Sequence, residues 1–171
     1  MNGRLRWSRS GILSLVVSSI FISAPARGDS PEEKGVRDTF TAFADAIKAK
    51  DAPKIWQLLD KESQTAAERS ARSVKATYAR ANAEEKTKLE TALGLSAAEF
   101  AKLTGEGFLK TKGFRGKYNE IPGSKIEKIS VQEKRATVNY TEEDGDKEKL
   151  RLIFQDGKWK VSAPMPPVPQ L

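Results

Sequence analysis

Apolar residues recur at helical steps through the first two-thirds of the chain and at steps of two through the last third. Val36, Phe40, Phe43, Ala44 and Ile47 form one apolar stripe, which predicts an amphipathic helix. Ser30-Pro31-Glu32-Glu33 opens it: Ser30 can cap, Pro31 suits the first helical position, and Glu33 completes a capping box. Residues 48–51 close it. Asp51-Ala52-Pro53 begins a short second helix carrying Ile55, Trp56, Leu58 and Leu59. Residues 62–81 read as a third, with Ala67, Ala71, Val74 and Tyr78 on a thin face that packs either closely or weakly. Asn82 can cap a further helix over 83–93, which Gly94 ends, and Ser96-Ala97-Ala98-Glu99 is a second capping box leading to Phe100 and Leu103. Gly105, Gly107, Gly113 and Gly116 then predict turns around Phe108, Leu109, Phe114 and Tyr118.

From residue 125 the pattern is that of strands. Ile129 and Val131, then Ala136, Val138 and Tyr140, then Leu150, Leu152 and Phe154, then Trp159 and Val161 alternate with their neighbours. Residues 132–134, Asp144-Gly145 and Asp156-Gly157 supply the turns. Four strands with short links predict an antiparallel meander with one apolar face. Helices followed by a meander make an α+β domain, N-terminal helices on a curved four-stranded sheet. The closing run Pro164-Met165-Pro166-Pro167-Val168-Pro169 suits neither a helix nor a central strand. Residues 164–171 are therefore expected to be a disordered proline-rich tail, with a proline-recognition ligand as the alternative.

The N-terminus changes this picture. Arg4, Arg6 and Arg9 precede a 14-residue stretch without a charge, residues 11–24, followed by small residues at Ala24-Pro25-Ala26. This is the pattern of a secretory signal peptide, and the stretch is short for a membrane span. Cleavage is expected after Ala26, leaving one domain over 27–163 in a secreted or periplasmic protein with no stable membrane anchor. The alternative is an uncleaved anchor. Removing 1–26 takes away three arginines and no acid, so a full-chain charge of +7 becomes +4. That balance speaks to solubility, and with export it argues against nucleic acid as a partner.

Composition narrows the chemistry. Of 171 residues, none is cysteine or histidine. Disulfides, thiol nucleophiles, histidine bases, Ser-His-Asp triads and zinc sites of the usual ligands are excluded. No cofactor and no metal is expected.

The order of elements supports one comparison. Phe40-x-x-Phe43-Ala44-x-Ala46-Ile47-x-x-x-Asp51 runs into a short helix with Trp56 and Leu59. The chain closes on Ala136-Thr137-Val138-Asn139-Tyr140 and on Leu150-Arg151-Leu152-Ile153-Phe154-Gln155-Asp156-Gly157-Lys158-Trp159-Lys160-Val161. These segments resemble the nuclear-transport-factor-2-like superfamily, the cystatin-like α+β cone, in its exported bacterial members of unknown function. The resemblance covers residues 31–60 and 125–162; residues 61–124 are longer and more helical than it implies. It implies a curved sheet wrapped around helices with a pocket at the open end, in a superfamily holding isomerases, dehydratases and polyketide cyclases beside non-catalytic binding domains. Its enzymes usually place Asp, His or Tyr in that pocket. Here there is no His, and no acid is read in the apolar register of the strands. Tyr140 is the one inward residue read there with a polar tip, which favours a non-catalytic member.

Three groups of residues are the candidate sites. Trp56, Tyr78, Tyr140, Phe154 and Trp159 could line a pocket for a small apolar ligand, against the plainer reading that they are core. Lys110, Lys112, Arg115 and Lys117, interleaved with Phe114 and Tyr118 in the predicted loop 109–118, could bind an anionic polymer, against the reading of a solvated loop. The run Glu142-Glu143-Asp144-Gly145-Asp146 offers oxygen ligands but lacks the calcium-loop spacing, and reads as a charged hairpin tip. The outer sheet face, with Thr137, Asn139, Arg151, Ile153, Lys158 and Lys160, leaves a homodimer open. The expected function is non-catalytic: binding a small apolar ligand or an envelope protein. The first alternative is an isomerase or dehydratase with a carboxylate base raised in pKa by the cone and Tyr140 or Tyr78 as hydrogen-bond donor. The second is an interaction module that holds anionic polymers through 109–118.

Overall fold

The structure is a computed structural model, and it describes residues 30–169. The expected signal peptide, residues 1–26, lies outside them. Helix α1, Pro31–Ala49, starts on the capping box: the Glu33 amide donates to Ser30 Oγ at 3.2 Å and the Ser30 amide to Glu33 Oε2 at 2.9 Å. Lys50 ends it with a left-handed φ of 56°. Asp51 then caps α2, Ala52–Leu58, and Asp60 caps α3, Lys61–Arg80. Asn82 and Ser96 cap α4, Ala83–Leu93, and α5, Ala97–Ala101, each with a capping-box glutamate, Glu85 and Glu99.

The turns expected over 105–118 are instead two short helices, α6 (Gly105–Phe108) and α7 (Lys112–Tyr118). Thr104 and Thr111 cap them, and Phe108, Leu109, Phe114 and Tyr118 are buried. Burying those side chains outweighs the poor helix propensity of four glycines. The thin face of α3 packs closely, not weakly. Ala67, Ala71 and Val74 are buried, and α6 comes so near that a Cβ on Gly105 would stand 2.8 Å from the Glu68 backbone nitrogen. Among the described residues no helix is long and apolar enough to cross a membrane.

A 3-10 turn, Ile121–Gly123, leads into strands β1 (Lys125–Gln132), β2 (Arg135–Thr141), β3 (Lys147–Gln155) and β4 (Lys158–Ser162). They form one antiparallel sheet in the order β1-β2-β3-β4. Asp156 and Gly157 both have positive φ, 51° and 76°, as a two-residue turn matched to strand twist requires. The inward positions Ala136, Val138, Tyr140, Leu150, Leu152, Trp159 and Val161 are buried beneath the helices, with α1 across the sheet. The outward positions form the cross-strand rows Lys125–Thr141–Lys147, Lys128–Asn139–Lys149, Ser130–Thr137–Arg151–Ser162, Gln132–Arg135–Ile153–Lys160 and Gln155–Lys158. Those rows hold eight cations and no carboxylate.

The proline tail, expected to be disordered, lies against the helices as far as residue 169. The Ala163 amide donates to Ser63 Oγ and the Tyr118 hydroxyl to the Pro164 carbonyl, both at 2.8 Å. Met165 and Val168 pack on the core, and Pro166 sits over Gly113. Proline bars this segment from a ladder but leaves its apolar surface free to be buried.

Candidate functional site

The five aromatic candidates do not meet around one cavity. Tyr140 is buried on the inward side of β2 with its ring 5.4 Å from that of Phe40 on α1. Tyr78, on α3, stacks on Phe100 of α5 at 4.1 Å and donates to Glu90 of α4. Trp56 is half-buried on α2 against the core. Trp159 is buried over α1, where a Cβ on Gly35 would stand 3.0 Å from its indole. Phe154, expected to face inward, is 39% exposed, lying past the end of the helical cover with its ring edge-on to Trp159 at 5.3 Å. None of the five lines the surface clefts described below.

The four cations of 109–118 likewise diverge, because a short helix points them in different directions. Lys110 borders a groove of about 340 Å³ beside Glu99 and Lys102. Lys112 folds over Gly94 and donates to the Thr91 carbonyl at 2.9 Å, neutralising the C-terminal end of α4. Lys117 lies over the Tyr118 ring at 5.9 Å. Arg115 alone turns to the end of the sheet where several elements converge.

That corner gathers charged residues from several elements. The end of α1, the end of α7, the 3-10 turn and the β2–β3 turn enclose an open cleft of about 500 Å³. Lys48, Lys50, Arg115, Glu120 and Glu143 are among the residues that line it, three cations and two carboxylates. The Glu143 carboxylate occupies the space where a side chain on residue 123 would begin, so Gly123 is needed for the approach. Beside the cleft, carboxylate oxygens of Glu120, Glu142 and Asp144 lie within 4.8 Å of one another. Burial, a hydrogen bond to Glu120, and the charges of Glu120, Glu148 and Asp144 push the Glu142 carboxyl up to about 7. Two carboxyls joined by a hydrogen bond share one proton. Burial, then the charges of Glu142, Glu148 and Glu120, push the Tyr140 hydroxyl on β2 up to about 12. Burial also raises Tyr118 well above the usual phenol range.

Register explains why these acids were missed. Glu142 follows Tyr140 by two residues, and Glu148 is its direct partner on β3. Glu148 therefore stands in the inward register, though exposed there, correcting the expectation that this register holds no acid, while Glu142 lies just past the end of β2. The signal was present: Tyr140-x-Glu142 and Glu148-x-Leu150 keep the period of two. Glu120, Glu142 and Asp144 are the residues here that could hold a hard cation, which takes oxygen ligands. With Glu142 protonated near neutrality, any such cation would compete with a proton.

Comparison of the chain with protein-family models, with curated protein sequences and with solved structures gives no match in any of the three.

Proposed function

We propose that this protein is a non-catalytic binding domain of the cell envelope, and that its site is the open corner lined by Lys48, Lys50, Arg115, Glu120 and Glu143. The observation that carries this is the filled interior. The space beneath the sheet, which a cone-type enzyme keeps for substrate, holds Phe40, Phe43, Tyr118 and Tyr140 in ring-to-ring contact. A cleft open to solvent and lined by both signs of charge suits a polar, charged ligand or a partner's charged segment better than a small apolar one. Helices followed by an antiparallel meander support kinship with the nuclear-transport-factor-2-like superfamily, and the expected export signal supports the envelope.

A thermal-shift panel tests the reading, with small apolar acids and sterol-like compounds set against dicarboxylates, polyamines and short charged peptides. A ligand at one hundred times its Kd adds about 2.7 kcal/mol, a visible shift. The expected result is a shift from charged compounds only, abolished by Lys50→Ala with Arg115→Ala. A shift from apolar compounds would reject this site and return the function to the interior.

One observation favours a second reading. Glu142, protonated up to about pH 7 beside the Tyr140 hydroxyl, has the pKa of a general acid or base, as an isomerase or dehydratase would use. An enzyme also needs water excluded, and Glu120 and Asp144 are exposed. Turnover of any carbonyl substrate that Glu142→Gln abolishes would establish this reading over the first.

A further inference from the structure

We propose that the outward face of the sheet is a docking surface for a linear acidic polysaccharide. Most inward side chains are buried against the helices, whereas none of the outward ones in the cross-strand rows is buried. Of the eight outward cations, Lys160 reaches back to the Gln57 carbonyl and Lys125 lies 3.8 Å from Glu127 in the β1 bulge. The other six, Lys128, Arg135, Lys147, Lys149, Arg151 and Lys158, are exposed, and none shares its row with a carboxylate. Lys147, Lys149 and Arg151 stand on alternate residues of β3, so their stems rise from one side of one strand about 7 Å apart. Lys128 and Lys149 flank Asn139 in one row, two strand spacings apart, roughly 10 Å.

Like charges side by side on a sheet destabilise it. The chain holds 23 acidic residues, yet the four strands carry only two carboxylates, Glu148 in the inward register opposite Tyr140 and Glu127 in the β1 bulge. Cations thus dominate the outward rows, and the outward side is left as a field that attracts polyanions.

The neutral residues between the cations select among polyanions. Ser130, Thr137, Asn139, Thr141 and Ser162 supply hydroxyl and amide groups able to bond sugar hydroxyls. The rows contain no aromatic side chain, so the face lacks the stacking platform with which sheets bind single-stranded nucleic acid. A lone half-buried Ile153 offers little to a lipid surface. A second copy of the chain in a two-fold dimer would set cations against cations. The polyanion surface thereby moves from 109–118, whose cations diverge, to the sheet.

The test is retention of the full chain on immobilised alginate, a linear polyuronate, between 50 and 300 mM salt. Variant one is Lys128→Gln with Lys149→Gln and Arg151→Gln. Variant two carries Lys110→Gln, Lys112→Gln, Arg115→Gln and Lys117→Gln. The expected result is salt-sensitive binding by the unaltered chain, weakened tenfold or more in variant one with a shallower salt dependence, and kept in variant two. Lys128→Arg with Lys149→Arg, which keeps the charge, should bind as the unaltered chain does and shows that variant one has not merely lost its fold. The proposal is overturned by absence of salt-sensitive retention or by loss in variant two alone. It is equally overturned by tighter binding to a single-stranded oligonucleotide or to phosphatidylglycerol vesicles than to alginate, or by a dimer that variant one dissociates.

Discussion

Replacing Gly105 by alanine should destabilise the domain, although the same change in most helices stabilises it. The glycine opens α6 where that helix meets α3. A methyl group there would stand 2.8 Å from the Glu68 backbone nitrogen and equally close to its carboxyl group. The carboxyl can swing away; the nitrogen, held within α3, cannot. So α6 must move off, disturbing Phe108 and Leu109 behind it. Overpacking of this kind costs roughly 1–3 kcal/mol. Against it stands the propensity gain of alanine over glycine, at most about 1 kcal/mol and smaller at a helix start. The net is a loss of about 1–2 kcal/mol. Gly116 is the internal control: it sits within α7, its φ is not positive, and nothing lies within 4 Å of an added Cβ. Gly116→Ala should therefore gain about 0.4–1 kcal/mol through the unfolded state. At about 3–5 °C per kcal/mol for a domain of this size, calorimetry should find Tm lowered in the first variant and raised in the second. A Gly105→Ala protein melting at or above the unaltered chain would refute the close α3–α6 approach.

Three further outcomes are expected. The native state binds the Glu142 proton more tightly than the ordinary value of 4.5 allows, so its stabilising contribution is full below pH 4.5 and lost as pH rises through about 7. The Tm of Glu142→Gln minus that of the unaltered chain should thus widen from pH 5 to pH 8, and a constant difference would show that Glu142 titrates normally. Asp60, 2% exposed, accepts from the Ser63 amide at 2.7 Å through one oxygen while the other has no hydrogen-bond partner. In urea titrations Asp60→Ala should lose about 1–2 kcal/mol and Asp60→Ser less, since serine keeps the cap without a buried charge; equal losses would mean the cap is not what matters. Tyr118→Phe removes the bond to the Pro164 carbonyl, should cost about 1 kcal/mol, and should speed proteolysis of the tail; unchanged cleavage would show that this bond does not hold the tail.

The parts of the fold that were legible are those fixed by local chemistry. Ser30, Asn82 and Ser96 announce helices because each has a glutamate three residues on, and Asp156-Gly157 announces a turn because both residues tolerate positive φ. What was not legible depends on distant partners. Glycines 105, 107, 113 and 116 signal turns locally, and only the burial of Phe108 and Phe114 makes their segment helical. Phe154 has the correct parity for the core and still lies exposed, because the helices do not extend over it. The corner was hidden for the same reason: Lys48, Arg115, Glu120 and Glu143 come from four elements, and no spacing joins them.

The last residues of the chain bind the first helices. The Asp60 amide donates to the Val161 carbonyl, Lys160 reaches Gln57, and the Ala163 amide reaches Ser63, links spanning about a hundred residues. Closing so long a loop is entropically costly, so these contacts form late. On the ribosome, helices α1 to α3 emerge long before β4, with nothing to lie upon. The domain thus cannot complete itself until β4 has been made, and until then the chain remains threadable. Any machinery that must pass an unfolded polypeptide across a barrier has, in this topology, all the time before β4 emerges in which to engage it.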